Sequence, residues 1–101
     1  MPRFDVYRNP SAGGTGYVVD VQADLLDGLA TRVVVPLLPV ERRSEAHPEL
    51  NPAMHVRGEV MTLEPQAIGT VPRKLLGRPV ANLGAERDAI TRALDILLTG
   101  F

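Results

Sequence analysis

The amino-acid sequence predicts a mainly β domain closed by one C-terminal α-helix. Three observations carry that expectation. Short runs rich in valine and other apolar residues recur between clusters of glycine, proline and asparagine, as in a sheet of short strands. One stretch near the end, Ala85 to Leu98, changes to helical periodicity. The 101 residues, 45% of them apolar, are enough for one core, and no repeat or low-complexity linker divides them.

Arg3 to Arg8 alternates with period two and puts Phe4 and Val6 on one face, which reads as a half-buried strand. Asn9 to Gly16 is dense in turn formers and predicts an exposed loop. Tyr17 to Gln22 is β-branched enough to be a central strand, so the pair makes a hairpin. Asp24 to Leu29 breaks the alternation and predicts a loop or short turn carrying two adjacent leucines. Thr31 to Pro39 is the most strand-like run; Pro36 within it calls for a sheet edge or a bulge, because proline cannot donate to a ladder.

Glu41 to Pro52 is polar and proline-flanked, an exposed excursion. Met54–Arg57 and Val60–Leu63 flank Gly58-Glu59, which predicts a two-residue hairpin turn with glycine first. Ala67 to Pro72 reads as a short extended piece, and Leu75 to Ala81 as a weaker, interrupted strand. In the final helix Ala89, Ile90, Ala93, Leu94, Leu97 and Leu98 share a face. Glu86 and Asp88 suit the positive end of its dipole, and Asp88 and Arg92 are spaced to pair. Gly100 suits the left-handed position after the last turn, with Phe101 folding back upon it.

Composition narrows function. Without cysteine there are no disulfides or thiolate metal sites, and a reducing compartment is expected. A net charge of −1 argues against a dedicated nucleic-acid binder. No apolar run is long enough for a membrane span, and Met-Pro-Arg-Phe-Asp does not open a signal peptide, so a cytoplasmic protein is expected. With no tryptophan and four aromatic residues, the core must be aliphatic, and aromatic base-stacking platforms are excluded.

Catalytic patterns are missing as well. His47 and His55 lack metal-ligand spacing, and Ser11 and Ser44 lack a nucleophile motif. Gly13-Gly14-Thr15-Gly16 looks like a phosphate cradle, but a strand follows it and no Lys-Ser/Thr does. The carboxylate pairs Glu41/Glu45 and Asp24/Asp27 lie in solvated stretches, and Arg73, Lys74 and Arg78 form only a weak basic stretch. The residues thus point to a non-enzymatic interaction domain with neither cofactor nor metal.

Two blocks carry a more specific resemblance. Val18-Val19-Asp20-Val21-Gln22-Ala23-Asp24-Leu25-Leu26-Asp27 and Arg32-Val33-Val34-Val35-Pro36-Leu37 resemble the CcdB family of toxin–antitoxin toxins. Phe4-Asp5-Val6-Tyr7, Val80-Ala81-Asn82-Leu83, the helix through Ile90 and Leu94, and an ending in glycine plus one bulky apolar residue extend it to nearly the whole chain. The resemblance implies an SH3-like β-barrel with a small extra sheet and a long C-terminal helix, the fold shared with MazF toxins. It implies a homodimer that is not an enzyme, binds the A subunit of bacterial DNA gyrase and traps its cleavage complex. It also implies a cognate antitoxin that neutralises the toxin, a pair that represses its own operon, and a role in plasmid maintenance, with no sequence-specific DNA binding by the toxin alone.

Carried over by position, the gyrase contacts fall on Leu25, Leu26, Asp95, Leu98, Thr99, Gly100 and Phe101. Thr99 departs from the family pattern, where well-studied members have a tryptophan anchor; Phe101 is the aromatic substitute within reach. Two other functions compete. A MazF-like endoribonuclease has only Arg3, Arg73 and His55 as nominal candidates, and a CcdB-fold protein that has lost gyrase poisoning would serve as an antitoxin-binding regulator.

Overall fold

The computed structural model describes residues 2–11, 15–42 and 47–100. Seven strands, β1 (Asp5–Arg8), β2 (Tyr17–Asp20), β3 (Thr31–Pro39), β4 (Ala53–Val56), β5 (Glu59–Leu63), β6 (Gly69–Pro72) and β7 (Ala81–Asn82), precede one helix, α1 (Arg87–Thr99). The strands form one antiparallel sheet in the order β4-β5-β3-β2-β1-β7, with β6 branching off β3. The sheet curls into a nearly closed barrel, the expected mainly β architecture with a C-terminal helix, and its extra layer is continuous with the barrel through that branch.

Strand β3 organises the sheet. Its first half, Thr31 to Val34, pairs with β6, and its end, Leu37 to Pro39, pairs with β5, while β2 runs along its other side. Pro36 lies where the partner changes. A residue without an N–H is tolerated there, and its carbonyl accepts from the Glu64 N–H at 2.9 Å. The sequence-based choice of edge or bulge is therefore replaced by a change of neighbour.

The period-two pattern decides what faces inward. Val6, Val19, Val35 and Leu37 point into the barrel with Phe4, Tyr17, Met54, Val56, Met61 and Leu63, and Leu83, Ile90 and Ala93 cover them from the C-terminal side. The opposite face is covered too: Tyr7, Val18, Val34 and Leu76 form a second cluster with Val71. Strand β1, expected to be half buried, is thus buried on both faces through Tyr7.

Three local expectations change. The β4–β5 turn is Arg57-Gly58, both left-handed (φ 51° and 83°), not Gly58-Glu59. Two consecutive left-handed residues make the turn whose twist matches a hairpin, so register overrides the glycine-first arrangement. Residues 73–80 contribute a 3₁₀ turn at Arg73–Leu75 rather than strand, and only Ala81–Asn82 pairs, with β1. Arg92 reaches across to Glu49 (2.6 Å) instead of taking Asp88.

Candidate target-binding surface

Leu25 and Leu26 sit in a 3₁₀ turn, Asp24–Leu26, between β2 and β3. Its local bonds, Leu26 N–H to Ala23 C=O, Asp27 N–H to Asp24 C=O and Leu29 N–H to Leu26 C=O, curl the chain so tightly that Leu25 points away from the sheet. Leu25 is 92% exposed, and Leu26 and Leu29 are also exposed. An apolar side chain so presented contributes nothing to the fold, whereas burying a leucine fully is worth about 2 kcal/mol.

The turn rests on a polar base. The carboxylate of Asp20 and the guanidinium of Arg32 are both fully buried and paired at 2.7 and 2.8 Å. Arg32 Nη1 also reaches Asp27 Oδ1 at 3.2 Å, on the far side of the turn. Gln22 donates from Nε2 to the Leu26 carbonyl (2.9 Å) and accepts the Val33 N–H on Oε1 (2.9 Å). Arg73 donates to the Asp27 carbonyl (3.0 Å), and the Arg3 N–H donates to Asp24 Oδ1 (2.8 Å).

Burial pushes the Asp20 carboxyl above the usual aspartate range, opposed by the Gln22 N–H and by the hydrogen bonds and charge of Arg32. Burial, aided by Asp5 and Asp20, likewise raises the Tyr7 phenol. Desolvation thus dominates the polar ground beneath the loop.

The second predicted group lies at the end of α1. Ile90 and Ala93 are buried and Leu94 packs beside them, but the apolar stripe outruns the core: Leu97 is half-buried and Leu98 is 71% exposed. Gly100 adopts the left-handed conformation (φ 81°), and its N–H donates to the carbonyls of Asp95 and Ile96, the expected helix stop. The Thr99 hydroxyl donates to the Asp95 carbonyl at 2.7 Å, so it closes the helix rather than facing outward unpaired. Phe101 lies outside the described residues.

The structure thus gathers Asp95, Leu98, Thr99 and Gly100 at one helix end and Leu25 with Leu26 on one turn. The two groups hang on different supports. The turn is bonded to β2, β3, Arg3 and Arg73, while α1 packs on the Pro65–Ala67 turn and bonds to Glu49.

Sequence reasoning missed the buried pair beneath the loop. Its signal was present: Asp20 and Arg32 each interrupt an apolar β run and face the same side of paired strands. Two of the other candidates, His47 and Arg3, have structural occupations. His47 Nδ1 accepts the N–H groups of Glu49 and Leu50, and His55 is exposed on β4. Arg3 donates to the Val21 carbonyl and stacks on the Phe4 ring at 4.6 Å. Of the glycine-rich loop, Gly13 and Gly14 lie outside the described residues, as do Ser44 and Glu45. No group of three or more histidine, aspartate or glutamate side chains among the described residues could hold a metal. Nor is any helix among them long and apolar enough to cross a membrane.

The described residues thus form a nearly closed antiparallel barrel capped by one helix, with exposed leucines on a turn and at the helix end. The family model for the CcdB protein matches residues 3–100, and the chain belongs to the CcdB family. Among solved structures it is similar to an endoribonuclease in complex with its cognate antitoxin from a mycobacterial species. That match has 22% identity and a TM-score of 0.79, and covers 97% of this chain and 95% of that one. A second mycobacterial endoribonuclease matches at 20% identity and a TM-score of 0.76, over 97% and 90% of the two chains. The Mycobacterium tuberculosis toxin MazF-mt6 matches at 14% identity and a TM-score of 0.68, over 93% of each. At these identities the likeness is one of fold.

Proposed function

We propose that this protein is the toxin of a toxin–antitoxin pair and acts by binding, not by catalysis, with the A subunit of DNA gyrase as its target. The observation that carries the reading is the pair of protruding leucines, Leu25 and Leu98, at positions where the resemblance to CcdB toxins implies gyrase contacts. Leu26, Asp95, Thr99, Gly100 and Phe101 complete the proposed surface. In a homodimer the two-fold axis doubles each protrusion and gives a symmetric target two equivalent wedges. A ligand that holds one gate conformation of gyrase more tightly than the others shifts the enzyme toward it, which is the logic of trapping a cleavage complex. A cognate antitoxin, wrapping the toxin with an extended segment, would neutralise it in the cytoplasm, without cofactor or metal.

The deciding experiment incubates purified gyrase and DNA with the intact protein and with a form lacking Thr99, Gly100 and Phe101. Trapped cleavage by the intact form alone is the expected result; no cleavage of DNA by its own host's gyrase in either case would sink the reading.

A second reading, endoribonuclease activity, is favoured by the activity named for the two mycobacterial structures. Against it, Arg3 and Arg73 are taken up in holding the loop, and His55 is exposed on β4. Incubation with RNA separates the two, since the binding reading expects no cleavage. Should the unmodified protein prove harmless and Thr99→Trp lethal on expression, the protein is a regulator that keeps only antitoxin binding.

A further inference from the structure

The geometry points to Arg32, held by Asp20, as the positioning residue that fixes the Leu25–Leu26 turn in its presented conformation. Beyond Val21, which packs in the core, the loop between β2 and β3 sends no apolar side chain inward: Leu25, Leu26 and Leu29 are all exposed. Its shape must therefore be imposed from below through polar bonds.

Arg32 suits that task because its planar fork serves two partners at once. Nε and Nη2 engage buried Asp20 on β2, and Nη1 engages Asp27 just past the leucines. Gln22 reinforces the link by joining the Val33 N–H on β3 to the Leu26 carbonyl in the turn. The arginine thus converts a rigid strand pair into a fixed crest. Buried ion pairs are weak contributors to stability compared with apolar side chains of equal volume, so a conformational role accounts better for a fully buried arginine in a valine-rich strand.

The consequence for target binding rests on the function proposed above, but the positioning itself is measurable in the free protein. The test is native-state hydrogen exchange on the full chain, comparing the unmodified protein with Arg32→Lys and Asp27→Ala. Lysine keeps the charge beside Asp20 but cannot span both carboxylates. Asp27 is partly exposed, so its truncation leaves the core intact.

In both variants the amides of Leu26, Asp27 and Leu29 are expected to exchange about tenfold faster or more, with β4 and β5 amides unchanged. Unaltered loop exchange, or equal acceleration everywhere, overturns the positioning role. Gyrase binding is measured in parallel. Faster loop exchange accompanied by weaker binding supports both ideas. Faster loop exchange with no gyrase binding by the unmodified protein supports the positioning role and overturns only the target assignment.

Discussion

At the scale of single residues, exposure and conformation separate the two kinds of important side chain. Leu25 and Leu98 protrude, so Leu25→Ala and Leu98→Ala should leave unfolding free energy within about 0.5 kcal/mol of the parent. On the proposed function, each should nonetheless weaken gyrase binding about tenfold or more, the loss typical of a buried anchor at an interface. Calorimetric unfolding and a binding titration with the gyrase A subunit check the two halves, and equal losses in both would make these leucines structural. Gly16 is the reverse case. Its φ is +80°, and a Cβ there would lie 2.4 Å from the Leu37 carbonyl oxygen, a backbone atom that cannot step aside. Gly16→Ala should therefore cost about 2 kcal/mol or more, read from the urea midpoint.

At the scale of elements, the β4–β5 hairpin holds a strain that one substitution removes. Arg57 occupies the first left-handed position of a two-residue turn, a place suited to asparagine. Arg57→Asn should stabilise the protein by about 0.5–1 kcal/mol, and an unchanged or lower urea midpoint would refute the assignment. This turn also shows what was legible from the sequence. Both flanking strands were readable from their apolar alternation, yet the pairing of Val56 with Glu59 moved the turn back by one residue. Turn position depends on cross-strand register, which local composition does not carry.

The helix was readable because its stripe and its glycine stop are local; the observed span, Arg87–Thr99, begins two residues later than the pattern, after a 3₁₀ turn at Gly84–Glu86. The exposed loop leucines followed from a broken period. The Asp20–Arg32 pair beneath them did not, because burial of a charge depends on which strands become neighbours. The same limit applies to the second cluster around Tyr7, which exists only because Leu76 is laid across the back of the sheet.

At the scale of the whole molecule, the two-sided burial of β1 and β2 couples stability to alkaline pH. Tyr7 titrates above its ordinary value near 10 because burial, with Asp5 and Asp20 nearby, opposes the phenolate. A raised folded-state value means the native state holds this proton more tightly than the unfolded chain does. The stability Tyr7 contributes is complete below about pH 10 and is lost as pH rises through the folded-state value. Tyr7→Phe should accordingly flatten the alkaline limb of the stability curve while leaving its shape near neutrality, as followed by urea unfolding at stepped pH. A limb equally steep in the variant would assign it to other groups.

The pairing of β1 with β7 also bears on how the protein comes into being. Asp5 accepts from the side chain of Asn82, 77 residues away, and Leu83, Ile90 and Ala93 seal the barrel that Phe4 and Val6 begin. Contacts so distant along the chain are slow to form, since a long loop must close before they can repay it. A nascent chain leaving the ribosome therefore has an open barrel until the segment through Ala93 emerges. The helix end that carries Leu98 has no scaffold before then. Leu98 therefore takes up its exposed position only after the two distant ends of the sheet have met.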